Sequence, residues 1–407
     1  KNLCRGIYTK TLYLPQNGHQ MKHILYNEKR RGPKTEHLVF VFWFYQVRVI
    51  AVVLRSEKVD YHCLICCEDQ LHISKGVNNI LSTHYYFEYG PAHIMCPLPL
   101  SCETPSHITL MSAGANFTEG KVLKVLNVSF SAMLSTQKVT DVLVCGLELV
   151  QSLEMLQLLG VNRVAVYLTN SSRETQHILD YYTHKGIVEV IPWSIPRLLK
   201  VSRSWLPSLS PGDIHYFGQM PALNDCIYRY MYQTRYLALH DVDELILPHW
   251  TELLPVLEKQ HGADQCYSFE NNVFPINVIL PPPGSQSLAP ESLWSPGSQY
   301  VPGVNILAHL YQEPITERTR SWKRKLILNP RGVISPDVHG LAEAQISCSW
   351  VDRNAARMYH TRSPFQPELT PDKLLYDGQI LNYSAQLIPA VRSVLTETGL
   401  LPEHSKL

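Results

Sequence analysis

From Val139 onward the chain alternates short apolar runs with amphipathic segments, and no other feature of its 407 residues constrains the fold as strongly. VTDVLVCG reads as a strand, and LELVQSLEMLQLLG carries apolar residues at helical spacing up to Gly160, a natural helix terminator. VNRVAVYLTN predicts a second strand. SSRETQHILDYYTHKG predicts a helix with a Ser-x-x-Glu/Thr type start and a terminal Gly186, and IVEVIPW a third strand. A further helix around MPALNDCIYRYMYQTR, beginning at Asn224 and Asp225, leads into YLALHDVDELILP, a short apolar strand that runs into a burst of carboxylates. Alternation at this rhythm predicts an α/β fold with a mostly parallel sheet and crossover helices, with ligands bound beyond the carboxyl ends of the strands.

Residues 1–132 are patterned differently. HLVFVFWFYQ, VRVIAVVLR, DYHCLICC and HITLMS are β-like runs set among Pro, Gly and Asn turns, without a long helical period. They predict a smaller β-rich accessory domain, separated from residues 133–407 by the small, polar stretch Ser129–Thr140. The most apolar run, Leu38–Leu54, is 17 residues long and carries Gln46 and Arg48 near its middle. A mid-bilayer Arg is costly and the run is aromatic and β-branched, so it predicts two buried strands broken near Tyr45-Gln46. Residues 281–303 are rich in Pro, Gly and Ser and read as a surface insertion or a loop that closes over a substrate.

A net charge of +1 and the lack of a Lys/Arg block exclude nucleic acid and anionic membrane surfaces as partners recruited by charge. Ten cysteines are too few for a disulfide scaffold. Cys63, Cys66 and Cys67 have C-x-x-C spacing, but no second pair follows at zinc distance, which favours disulfides or buried thiols. Four Asn-x-Ser/Thr sites, at Asn116, Asn127, Asn170 and Asn382, point toward a secretory lumen. The opening Lys1-Asn2-Leu3-Cys4-Arg5 is polar and basic and does not read as a signal peptide.

The acidic turn Asp241-Val242-Asp243-Glu244 is the candidate site. Sugar transfer from a nucleoside diphosphate requires the departing diphosphate to be neutralised, and Asp carboxylates are suitable hard ligands for the Mn²⁺ or Mg²⁺ that does so. Two Asp separated by one residue at a strand end can present one carboxylate to the metal and the other to the ribose or a metal-bound water.

The series LGVNRVAVYLTNSS, YYTHKGIVEVIPW, DCIYRYMYQTRYLALHDVDELILP, KRKLILNPRGVISPDVHG and MYHTR resembles glycosyltransferase family 92 in colinear order over roughly residues 139–362. The resemblance implies a GT-A (Rossmann-like) catalytic domain after the β-rich segment. It also implies a β-1,4-galactosyltransferase-like activity: UDP-galactose as donor, Mn²⁺ as metal, inversion at the anomeric carbon, and a glycoprotein glycan as acceptor. A type II membrane anchor in the Golgi, outside this chain, is a further implication.

Residue roles follow from the chemistry and that resemblance together. Asp241 and Asp243 are expected to bind metal and donor, with His339 as a third metal ligand. In the basic cluster Lys323, Arg324 and Lys325, Lys325 is the preferred diphosphate contact and Arg324 the next. Asn224 and Asp225 either cap their helix or bind nucleotide, and His360 and Arg362 bind donor or acceptor or form a strand-end salt bridge. Inversion needs a base for the acceptor hydroxyl, and Glu313 and Glu317 fall in the expected interval, with Asp337 and Glu343 in reserve. Glu244 is expected to cap or orient the turn. Two other readings compete: a glycan-binding protein with a degenerate transferase domain, and a metal-dependent phosphohydrolase. Retention of both Asp241 and Asp243 opposes the first, and early strand ends without Asp or His oppose the second.

Overall fold

The computed structural model describes residues 36–43, 46–56, 60–67, 70–102, 105, 107–112, 121–124, 132–135, 145–285, 304–316 and 323–401. The N-terminal part is antiparallel: β1 (Glu36–Trp43), β2 (Gln46–Leu54), β3 (Tyr61–Cys67), β4 (Gln70–Ile80), β5 (Tyr89–Pro97), β6 (His107–Ser112) and β7 (Lys121–Lys124) lie in the order β1-β2-β5-β4-β3-β6-β7. The described residues of the apolar run 38–54 lie in the antiparallel pair β1 and β2, and among the described residues no helix is long and apolar enough to cross a membrane.

Strand β4 pairs with β3 over Gln70–Gly76 and with β5 over Val77–Ile80, so one strand serves two neighbours along its length. Disulfides Cys63–Cys96 and Cys67–Cys102 fasten β3 to β5 and to the turn after it. Cys66 is disulfide-bonded as well, which closes the zinc reading of this cluster.

Period-2 alternation divides the buried side chains of β2 between two cores. Val47, Val49, Ala51 and Val53 pack with Cys63, Ile65, Ala92 and Ile94, whereas Ile50 and Val52 face the other way and join the core of the C-terminal part. The two parts are thus joined through apolar packing. Such burial contributes about 25 cal/mol per Å² removed from water.

The C-terminal part is built on a seven-stranded mixed sheet: β8 (Ala132–Ser135), β9 (Val164–Leu168), β10 (Val188–Pro192), β11 (Leu237–Asp241), β13 (Cys266–Phe269), β16 (Lys325–Leu328) and β19 (Cys348–Trp350). Their order is β10-β9-β8-β11-β16-β13-β19, parallel from β10 to β11, with β16 antiparallel to both neighbours. Disulfide Cys266–Cys348 ties β13 to β19. A smaller sheet carries β12 (Glu244–Leu247), β14 (Asn271–Pro275) and β20 (Arg357–Arg362), and two ribbons pair β15 (Tyr311–Gln312) with β21 (Leu375–Tyr376) and β17 (Val333–Asp337) with β18 (Gly340–Ala344).

Alternation again sorts the core. Val164 and Val166 of β9, Ala238 of β11 and Ile327 of β16 pack under the helices α1 (Cys145–Leu158), α2 (Arg173–His184) and α5 (Ser384–Glu397). Ala165, Tyr167, Leu237, Leu239, Leu326 and Leu328 pack on the opposite face against α3 (Gln219–Tyr230). Helix α4 (Trp250–His261) adds Trp250, Leu253 and Leu257 to the first core. Helices α1 and α2 are found where the sequence predicts them. At Gly186 (φ 73°) the chain leaves α2 in a left-handed turn closed by Ile187 N–H donating to Tyr182 O at 3.0 Å.

Two expectations need correction. Of the segment VTDVLVCG, residues 139–144 lie outside the described residues, and Cys145 and Gly146 belong to α1. Helix α3 begins at Gln219, so Asn224 and Asp225 lie at its middle, and every one of its residues is buried. The helix is wedged between the sheet on one side and β2 and β5 on the other, and its start behind Gly218 carries no capping side chain, so nothing in the local sequence marks it.

That wedge includes histidines held neutral. His93 Nε2 meets Asn224 Oδ1 at 3.2 Å, and burial first, then the charge of Arg48, pushes its pKa down to about 3. Burial alone pushes His215 down to about 3 from the ordinary 6.5. The unfolded chain accepts protons below pH 6.5 that the folded chain refuses, so the stabilisation is complete above that pH and erodes as pH falls toward 3. Urea unfolding is expected to weaken by about 1.4 kcal/mol per pH unit per histidine between pH 6.5 and 4. His215→Phe should show a shallower decline than the wild type, and equal slopes would refute the assignment.

Candidate active site

The acidic turn stands where the sheet changes direction. Strands β8, β9 and β10 extend one way in space, and β11 lies on the other side of β8, so the carboxyl ends of β8 and β11 flank the switch point at which open α/β sheets bind ligands. Asp241 is the last residue of β11. Val242 is buried in the α1 core and anchors the turn, after which Glu244 opens β12.

Because β16 runs antiparallel to β11, with Leu326 opposite Leu239, its first residue arrives beside the last residue of β11. Lys325 Nζ therefore lies 3.3 Å from Asp241 Oδ2 and 3.0 Å from Glu244 Oε2. Burial opposes the charge on Lys325, but the two carboxylates outweigh it and hold its pKa above the ordinary value. Glu244 is buried and its pKa is raised, first by that burial. Glu244 Oε2 also accepts the backbone N–H of Asp241 at 2.8 Å, the orienting role expected of it.

The small sheet supplies the next shell. Register places His360 of β20 opposite Glu244 and beside Val273. Its Nε2 lies 3.4 Å from Asp243 Oδ2 and its Nδ1 3.6 Å from Glu244 Oε1, and Nδ1 donates to Asn271 Oδ1 at 3.2 Å. Burial, then the neighbouring Arg362, pushes Lys323 down to about 8, against the opposing pull of the Glu244 and Asp241 charges. Three carboxylates thus crowd one turn: Asp241 and Glu244 share the buried ammonium of Lys325, while Asp243 faces His360. Such a centre favours an added cation.

His339 occupies the turn between β17 and β18. Arg324 Nε donates to His339 O at 3.1 Å, and His339 Nδ1 donates to Arg324 O at 3.3 Å. A carbonyl can only accept, so Nδ1 carries the proton and Nε2 keeps the lone pair that a metal ion uses. Burial first, then the charge of Lys325, pushes the imidazole down to about 2 and keeps it neutral. Among the described residues no three His, Cys, Asp or Glu side chains are already gathered as a metal-binding group. Lys325 supplies the positive charge at the turn instead.

Other sequence candidates are placed elsewhere. Asn224 Nδ2 donates to Met220 O at 2.9 Å, and Asp225 accepts Arg229 Nε and Nη2 at 2.8 and 2.9 Å and the Tyr167 hydroxyl. Both side chains serve the interior around α3, not the acidic turn. Glu313 Oε1 accepts the N–H groups of Phe365 and Gln366 at 2.7 and 3.0 Å, and Oε2 the Gln366 side-chain amide at 3.3 Å. These bonds tie Glu313 to the turn at Phe365 and Gln366, away from the acidic turn. Glu317 and residues 286–303 lie outside the described residues. Glu343 is exposed on β18, and Asp337 Oδ1 accepts the Tyr85 hydroxyl at 2.6 Å and Val338 N–H at 2.7 Å. Asn271 and Tyr85 join this region without any signal in local sequence, because register and domain contact bring them in.

No curated protein matches the chain. The family model of glycosyltransferase family 92 matches residues 145–364, more than half of the chain, and this span contains the acidic turn, Lys325, His339 and His360. The chain belongs to glycosyltransferase family 92 and is a glycosyltransferase.

Proposed function

We propose that the chain is an inverting, metal-dependent galactosyltransferase of GT-A type, moving galactose from UDP-galactose to a hydroxyl of a glycoprotein glycan, in β-1,4 linkage. What supports the site assignment most is the crowding of three carboxylates at the switch point of the sheet, two of them on the Lys325 ammonium and Asp243 beside His360. Donor and linkage rest on the family resemblance.

Asp241, Asp243 and His339 would hold Mn²⁺ or Mg²⁺. Two hard carboxylates and one neutral imidazole form a donor set suited to Mn²⁺. When bound, the cation supplies charge neutralisation of the departing diphosphate. Lys325, Arg324, Lys323 and Arg362 supply cationic charge around the same turn, where anionic phosphates are attracted. In transfer, the acceptor oxygen forms a bond to the anomeric carbon as the bond to the diphosphate breaks, and the acceptor's proton leaves to a base.

The disulfides and the exposed sequons at Asn170 and Asn382 suit an oxidising, glycosylating compartment, and we place the chain in the Golgi lumen. A panel of UDP-sugars, assayed with and without Mn²⁺ against glycans ending in galactose, fucose or N-acetylglucosamine, tests the reading. Turnover of UDP-galactose that chelation abolishes is the expected result. Failure of every UDP-sugar would favour a glycan-binding role.

A further inference from the structure

We infer that the N-terminal β-rich part completes the active site through Tyr85: Tyr85, by way of Asp337, and Trp205 of the C-terminal part, by ring stacking, are positioning residues that hold His339 as a cation ligand. The inference rests on the metal-ligand reading of His339 given above.

Four contacts converge on one turn. Tyr85, in the connection between β4 and β5, donates its hydroxyl to Asp337 Oδ1 at 2.6 Å, and the same oxygen accepts Val338 N–H at 2.7 Å. The carboxylate is thereby tied at the start of the turn that presents His339. The reciprocal bonds between His339 and Arg324 fix the ring's proton on Nδ1, so Nε2 is the nitrogen left to a ligand. Trp205 then stacks on the imidazole, centroids 5.8 Å apart and planes 16° apart, which sets the remaining rotation of the ring.

Trp205 and Tyr85 also support each other. Their rings meet edge to face at 5.4 Å, and Tyr85 stacks on buried His215 at 4.2 Å with planes 20° apart. The backbone here is strained, with positive φ at Tyr85 (49°), Tyr86 (67°), Tyr216 (29°) and Phe217 (54°). Bulky residues in that region are strained, persist only where surrounding contacts over-determine them, and cluster at functional sites. A β-rich part that served only as a support for α3 would not need this strained aromatic connection to the His339 turn. Outer partners of a metal-ligating histidine commonly alter metal affinity by about 10- to 100-fold.

Mn²⁺ itself is the probe, because a paramagnetic ion bound at His339 quenches a tryptophan stacked on that ring. Mn²⁺ is titrated into the full chain while free ion is followed by electron paramagnetic resonance and emission by tryptophan fluorescence, with Mg²⁺ as the non-quenching control. The wild type should lose emission in step with Mn²⁺ binding. Trp205→Phe should still bind Mn²⁺ but show little quenching, and Tyr85→Phe should bind Mn²⁺ about 10-fold more weakly with its melting temperature little changed. Unchanged affinity in Tyr85→Phe together with full quenching in Trp205→Phe overturns the inference and leaves the metal reading standing. A wild type that binds no Mn²⁺ overturns both. Should Tyr85→Phe fail to fold, the Trp205→Phe comparison decides.

Discussion

Asp243→Ala is expected to lower both sugar transfer and donor hydrolysis by roughly 10³-fold or more, the scale seen when a preorganised group facing developing charge is removed. Stability should not fall with it. Asp243 is one of three carboxylates at a centre with one buried ammonium, and its charge helps raise the pKa of Glu244. Removing it relieves like-charge repulsion, so the urea midpoint should hold or rise while activity disappears. Opposite movements of activity and stability distinguish a ligand residue from a structural one. Mn²⁺-dependent transfer surviving in Asp243→Ala would sink the site assignment.

Arg229→Ala should produce the largest loss of stability, about 3–5 kcal/mol, because it leaves the Asp225 carboxylate buried without its counter-charge. Arg229 and Asp225 form a two-pronged ion pair at 2.8 and 2.9 Å, both side chains at most 2% exposed. Desolvation opposes such a pair, so its net contribution is far smaller than the loss on breaking it. The double variant Asp225→Leu/Arg229→Met should recover most of the loss in urea unfolding. It also tests function, since a structural pair predicts unchanged donor affinity. A double variant that folds well but no longer binds the donor would restore Asp225 to the nucleotide site.

These two experiments address residues to which the sequence assigns different roles, a metal or donor ligand for Asp243 and a cap or nucleotide contact for Asp225. Asp243 and Asp225 both stand near apolar runs, and each was a candidate donor contact. The turn of Asp243 was legible because the apolar strand YLALH and the burst of acid after it are contiguous, and a strand end in an alternating α/β chain is where ligands bind. Asp225 stands inside α3 because the helix starts at Gln219 behind Gly218, which offers no capping side chain to mark that start, whereas Asn224 and Asp225 are residue types that often cap. Glu313 was chosen for its interval along the chain. Interval says nothing of the Phe365 and Gln366 amides that occupy it.

The sequence by itself determined the rhythm of strands and helices, the antiparallel pair β1 and β2 in place of a membrane span, and the carboxylates at the end of β11. Each of these depends on neighbours a few residues apart, where hydrophobic period and turn chemistry act directly. Only the tertiary structure decided what those carboxylates face. The antiparallel entry of β16 brings Lys325 to Asp241 across 84 residues, the pairing of β12 with β20 brings His360 to Glu244, and the contact between the two parts brings Tyr85 to Asp337 across 252. A charge buried with its partner and one left in water have the same local sequence, and their difference arises from groups that meet only when the sheets assemble.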